Sequence, residues 1–197
     1  MISDEYKCIF VEVPKTGSTS IRNIIGFSEK PHMNIKEIKK EFIENRATLS
    51  KGDDTLREFE DYFKFGFVRN PWDRVVSLYN RQEGIIMSEK MCFEEFVDWI
   101  NYSSDTSIYP TQHRNQLDWF LDDNKQLAVD FIGRFERLDE GWKIICRKLN
   151  IQFKLEHHNI NGKNNKHYTD YYNEKTIDII AEKFKVDIDY FEYKFGE

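Results

Sequence analysis

The chain has 197 residues, 40% of them hydrophobic, 15% aromatic and 32% charged, with a formal net charge of −6. That length suits one domain, 1–197, with a core large enough to need no staples, and the aromatic content excludes a disordered chain. The acidic balance argues against a duplex nucleic-acid binder, which carries a basic face, and no run approaches the apolar length of a membrane span.

Cys8, Cys92 and Cys146 are scattered, without C-x-x-C spacing, and the first and last of them sit in apolar runs as small core residues. The N-terminus, MISDEYKCIFVEV, shows no cationic segment followed by a long apolar one. The expected setting is therefore reducing and cytoplasmic.

In chain order, CIFVEV (8–13) is a short apolar run rich in β-branched residues, and Pro14 bounds it, so it predicts a buried strand. Ser18 to Gly26 predicts a helix with Ile21, Ile24 and Ile25 on one face. Ile35 to Leu49 predicts another, while residues 50–61 are polar and read as loop or frayed helix. KFGFVRN (64–70) predicts a second strand. Pro71 to Arg81 predicts a helix with Asn70 as N-cap and Pro71 at its first position. Helices follow at Phe93 to Ile100 and Gln112 to Leu121, with a loop over 101–111 between them. Leu127 to Phe135 holds one or two short strands, and Leu138 to Leu149 is a helix ending near Asn150. Residues 154–169 form a polar loop, Asn173 to Phe184 a last helix, and DIDYFEYKF an aromatic tail. Strands alternating with amphipathic helices imply an α/β fold: a P-loop-like three-layer sandwich with a central, mostly parallel sheet flanked by helices.

Two segments carry chemistry. The first is a strand–PKTGSTS–helix unit, residues 14 to 20. A loop leaving the carboxyl end of a parallel strand and opening a helix aims several N–H groups at one point, and the helix dipole makes that point an anion site. Lys15, Thr16, Ser18, Thr19 and Ser20 add donors, and Gly17 permits close backbone approach. The spacing is not the G-x-x-x-x-G-K-[ST] of NTPases, and an ordinary Ser/Thr-capped helix is the competing reading. The second unit is FGFVRNPWDRVVSLYNR, 65 to 81. Arg69 lies at the carboxyl end of its strand, where open α/β sheets bind ligands, and Ser77 lies on the following helix. A guanidinium fork and a hydroxyl suit a phosphate; the competing reading is a structural pair between Arg69 and Asp73. Trp72, Val75, Val76, Leu78 and Tyr79 form the packing face.

Together, PKTGSTS and, about 50 residues on, RNPWDRVVSLY resemble the carbohydrate sulfotransferase family that includes chondroitin and heparan sulfotransferases and small bacterial relatives. VDFIGRFERLDEGWKIICRKLNI and the C-terminal HHNINGKNNKHYTDYYNEKTIDIIAEKFKVDIDYFEYKF are similar to later parts of that family. The resemblance implies the donor 3′-phosphoadenosine 5′-phosphosulfate (PAPS), with Lys15, Thr16, Gly17, Ser18, Thr19 and Ser20 on its phosphosulfate and Arg69 and Ser77 on its 3′-phosphate. Gly162 and Lys163 stand where the family's C-terminal loop carries Ser and a basic residue, and they are taken as further nucleotide contacts.

The family also favours a His soon after the first helix. Here that is His32 in PHMNIKEI, expected near the end of a short strand beside the phosphosulfate loop, with His113 as its rival. His32 is the candidate base, since an ordinary imidazole titrates near neutrality, and Lys15 would stabilise charge on the leaving phosphate. His157, His158 and His167 lie in a polar loop without metal-ligand spacing, so no metal is expected. The implied partners are PAPS, its product PAP and a hydroxyl acceptor, a glycan by resemblance, with neither nucleic acid nor membrane. A nucleotide kinase with a degenerate phosphate loop and a non-catalytic PAP-binding protein are the alternatives.

Overall fold

The structure is a computed structural model that describes residues 1–26, 30–46, 52–80, 89–102, 115–155 and 166–197. Its elements are β1 (Ile2–Ser3), β2 (Cys8–Val11), α1 (Ser18–Ile25), α2 (Ile35–Arg46), α3 (Gly52–Asp61), β3 (Phe63–Val68), α4 (Pro71–Tyr79), α5 (Phe93–Tyr102), β4 (Phe131–Arg134), α6 (Leu138–Leu149), α7 (Glu174–Lys183) and α8 (Lys185–Phe191). Two units are distinguished: Met1–Val68 with Asp118–His157, and Arg69–Leu117 with His158–Glu197.

The first unit holds one sheet of four strands in the order β1-β2-β3-β4. β1 runs antiparallel to β2, pairing Ile2 with Ile9. β2, β3 and β4 run parallel, with Phe10 opposite Phe65 and Phe65 opposite Phe131. The fold class is therefore α/β with a mostly parallel sheet flanked by helices, as the alternation of strands and helices implies. Successive side chains of a strand point to opposite faces. Cys8, Phe10, Phe65 and Phe67 share one face and pack with Ile21 and Ile25 of α1 and with Leu138, Trp142 and Ile145 of α6. Both helices place apolar residues three and four apart, the spacing that makes one buried stripe. From the other face of β3, Lys64 reaches over the ring of Phe59 in α3, which meets Phe42 of α2 edge-on.

The Phe67 ring sits in a notch. A β-carbon at Gly133 would collide with its Cε1, and one at Gly141 in α6 would come within 2.7 Å of that same atom. Two absent side chains thus make room for one large one.

Among the described residues, the α-helices α4, α5, α7 and α8 belong to the second unit. Asn70 caps α4 by accepting the Trp72 N–H at 3.1 Å, with Pro71 in the first turn, as its sequence predicts. A capping box of Asn173 and Thr176 opens α7. The helices meet through aromatic edges, Tyr79 on Phe93 and Phe93 on Tyr172 among them, and the Tyr172 hydroxyl donates to the Trp72 carbonyl at 2.8 Å.

Several expectations shift. Residues 52–61, read as loop or frayed helix, form α3. The aromatic tail contains α8. The helix expected over Gln112 to Leu121 is, among the described residues, a single 3-10 turn at Leu117–Trp119.

Candidate active site

Beyond Val11 the chain leaves β2 and turns through residues 12–17 into α1. The turn is built from backbone conformations that L-residues seldom adopt: Lys15 has φ +70° and Gly17 φ +84°. The buried Thr16 hydroxyl donates to the Val13 carbonyl at 2.9 Å, which ties the turn together. Thr16 therefore serves the loop's own shape as a donor. Gly17 packs its backbone against α6, where a β-carbon would stand 3.0 Å from Leu138 Cδ2. Gly17 is also the N-cap of α1, and no side chain caps that end. The Ser/Thr-capped helix of the competing reading is thus not what forms. The N-cap residue itself makes no side-chain hydrogen bond, and a helix N-terminus of this kind is a setting in which backbone N–H groups can receive an anion. Ser18 and Ser20 are buried, and Lys15 and Thr19 are half-buried.

His32 lies in the connection between α1 and α2 rather than at the end of a strand, with φ +63°. Its Nδ1 is 3.2 Å from the main-chain carbonyl of Glu12, three residues before Lys15. That contact holds the imidazole against the backbone leading into the loop. The Glu12 carboxylate is buried, with Arg22 Nε at 3.3 Å from Oε1.

In the second unit, Arg69 directly precedes the cap of α4. Its Nε donates to Asp73 Oδ2 at 2.7 Å and its Nη2 to Asp73 Oδ1 at 2.9 Å, so the structural pairing considered from sequence is present. A guanidinium has five N–H donors, and this pair takes two of them. Asp73 and Ser77, four residues apart, share a face of α4 with Arg69 beyond them. The Arg69 peptide is gripped from both sides by Gln116, whose Oε1 accepts the Arg69 N–H at 2.9 Å and whose Nε2 donates to the Arg69 carbonyl at 2.7 Å. Asp187 of α8 in turn accepts the backbone N–H groups of Gln116 at 2.7 Å and Leu117 at 2.9 Å. Burial pushes the Asp187 carboxyl up, opposed by those two N–H donors and by Arg74. Arg74, also buried, is pulled down to about 10 by desolvation, with Asp187 acting against that.

Glu12, Gln116 and Asp187 escaped the sequence reading. The signal for Glu12 was a carboxylate inside the apolar run CIFVEV. Gly162, Lys163, His113, His157 and His158 lie outside the described residues. His167 is exposed, with Nδ1 at 2.8 Å from the Thr169 hydroxyl. Among the described residues no group of three His, Cys, Asp or Glu side chains is placed to hold a metal ion, and no helix is long and apolar enough to cross a membrane.

Over 98 residues the chain is 33% identical to an uncharacterized protein of Archaeoglobus fulgidus, a match covering 50% of this chain and 76% of that protein. It is 25% identical over 85 residues to carbohydrate sulfotransferase 10 of Xenopus laevis, covering 40% of this chain and 24% of the relative. With carbohydrate sulfotransferase 10 of Gallus gallus it shares 23% identity over 126 residues, 59% of this chain and 33% of the relative. These matches span about a quarter and a third of the two named relatives. No solved structure matches the chain. A sequence model of the Sulfotransferase family matches residues 1–194, a range that takes in the loop before α1, Arg69 and the C-terminal helices, and the chain belongs to that family.

Proposed function

We propose that the protein moves the sulfuryl group of PAPS to a hydroxyl acceptor on a carbohydrate and releases PAP, working as one domain across residues 1–197. The observation that carries this reading is the turn at Lys15 and Gly17, which opens α1 without a side-chain cap in a member of the sulfotransferase family. Such a terminus suits a phosphosulfate, since the first N–H groups of a helix point out of its end and the helix dipole favours negative charge there. The residues present thus fit the donor.

Lys15, Thr16, Gly17, Ser18, Thr19 and Ser20 would hold the phosphosulfate end, and Arg69 and Ser77 the 3′-phosphate, with Gly162 and Lys163 adding nucleotide contacts. Bound PAPS supplies an already activated sulfuryl group. The chain's part is to position and to neutralise charge. Lys15 and the first-turn N–H groups of α1 would stabilise the oxygen that gains negative charge as its bond to sulfur breaks. His32 takes the proton from the acceptor hydroxyl as the new S–O bond forms. Arg69 serves Asp73 and the 3′-phosphate together, with Asp73 fixing the guanidinium plane. A reducing cytoplasmic setting belongs to the same reading, consistent with three free thiols.

Calorimetric titration tests the donor site. PAP should bind in EDTA-containing buffer as well as with Mg²⁺. Arg69→Ala should cost PAP about 2–3 kcal/mol, the scale of a charged hydrogen bond, and leave adenosine 5′-phosphosulfate, which has no 3′-phosphate, nearly unaffected. Tighter, Mg²⁺-dependent binding of ATP would overturn the reading. Incubation with labelled PAPS and a panel of glycans, read by mass spectrometry, then identifies the acceptor.

A further inference from the structure

Glu12 is the most unusual ionisable residue of the first unit. It is 1% exposed, and neither carboxylate oxygen receives an aligned hydrogen bond. A buried carboxylate in that condition is costly, so its retention calls for a partner that can reach it. Among the described residues, two basic side chains approach it. Arg22 of α1 has Nε at 3.3 Å from Oε1, near but not aligned as a donor. His32 has Nδ1 at 4.0 Å from that oxygen.

The geometry around His32 dictates its tautomer. Nδ1 lies 3.2 Å from the Glu12 main-chain oxygen. A carbonyl oxygen only accepts, so Nδ1 must carry the hydrogen, and Nε2 is left as the basic nitrogen. The ring is 37% exposed, so it has an open side, and its backbone is held at φ +63°. A non-glycine residue in that region marks a position the surroundings over-determine.

We propose that Glu12 is the positioning residue for His32: its carbonyl fixes the imidazole with Nε2 as the base, and its buried carboxylate lies ready to balance the imidazolium formed when Nε2 takes the acceptor's proton. This rests on the reading of His32 as base. The step balances. The acceptor O–H bond breaks, the proton goes to Nε2, the acceptor oxygen bonds to sulfur, and the bond from sulfur to the phosphate oxygen breaks with its electron pair. His32 later returns its proton to water. Arg22 stands beside the carboxylate between turnovers, and its contact, not aligned as a hydrogen bond, does not commit the carboxylate away from His32.

Two measurements on the 197-residue chain test this. Nitrogen-15 spectra of the wild type, with His32 assigned from its absence in His32→Gln, should show neutral His32 protonated at Nδ1. An Nε2–H signal in its place would overturn the pairing, and this result needs no variant that could fail to fold. Glu12→Gln should lower kcat by roughly 10–100-fold, at the lower end for acid–base support. Its KM for PAPS and its PAP affinity should stay within about twofold, because Glu12 is not placed on the donor. A Glu12→Gln variant that turns over at the wild-type rate, while His32→Gln is inactive, would refute the role of the carboxylate. Full turnover by His32→Gln would instead remove His32 as the base, and that failure is separate, because the Nδ1–H signal still reports the contact to Glu12.

Discussion

Gln116→Leu is the most searching perturbation of the second unit. The replacement is close in volume but removes both hydrogen bonds that grip the Arg69 peptide, at 2.9 and 2.7 Å. Gln116 is 0% exposed and Arg69 6%, so water cannot readily take the place of the lost amide. A hydrogen bond lost at a buried backbone group costs about 1–3 kcal/mol, and the greater apolarity of Leu offsets part of two such losses, so a net destabilisation of about 2–4 kcal/mol is expected. Urea unfolding followed by circular dichroism measures it as a shift in midpoint at unchanged slope. The same substitution loosens the chain immediately before α4, where Arg69 is mounted. PAP affinity should therefore fall about tenfold or more, the effect of some 1.4 kcal/mol, while adenosine 5′-phosphosulfate binds as before. A stability loss under about 1 kcal/mol would refute the claim that the amide holds this peptide. Equal weakening of both nucleotides would refute the claim that what it holds is the 3′-phosphate contact.

Gly17→Ala must adopt φ +84° and meet Leu138 Cδ2 at 3.0 Å. The left-handed backbone alone costs about 1–2 kcal/mol, so thermal unfolding should shift downward and PAP binding should weaken with it. Asp187→Ala deprives two buried N–H groups of their acceptor and should destabilise by about 2–4 kcal/mol in urea. Cys8 is fully buried, and burial pushes its thiol up to about 12, whereas Cys92 is exposed. Maleimide labelling of the native protein at pH 8, read by peptide mass spectrometry, should modify Cys92 within minutes and leave Cys8 unmodified until the chain is unfolded.

The elements that sequence made legible are those whose signals are local. β2 and β3 are apolar runs with a clear boundary, α4 announces itself through Asn70 and Pro71, and α6 runs over Leu138–Leu149 as its spacing predicts. β1 is two residues long, and only its pairing across the turn to β2 makes it a strand. α3 is mostly charged, and its apolar stripe is short. α8 follows α7 with Phe184 standing at the end of one helix and the start of the next, a break that periodicity blurs. Around Gln116, Asp187 takes N–H groups from a distant part of the sequence, and the chain there makes a 3-10 turn rather than the expected helix. The loop before α1, Arg69, Ser77 and His32 are candidates that motif alone singles out. Glu12, Gln116 and Asp187 are not, because what sets them apart is burial and partners 10 to 71 positions away along the chain, and no spacing rule reports that.

The notch around Phe67 has a consequence for how this sequence can change over generations. Positions 67, 133 and 141 behave as one trait distributed over three codons. With the phenyl ring in place, any side chain at 133 or 141 runs into it, so each glycine is locked by the aromatic residue. With either glycine already replaced, the ring no longer fits, so Phe67 is locked by the glycines. Removing the ring first leaves a void, and losses of that kind in a packed core run to about 3–5 kcal/mol. Every single step away from the present trio is therefore downhill in fitness, even where a different trio would pack as well. Relatives should carry the three as a set, and a change at one position should be accompanied by changes at the others.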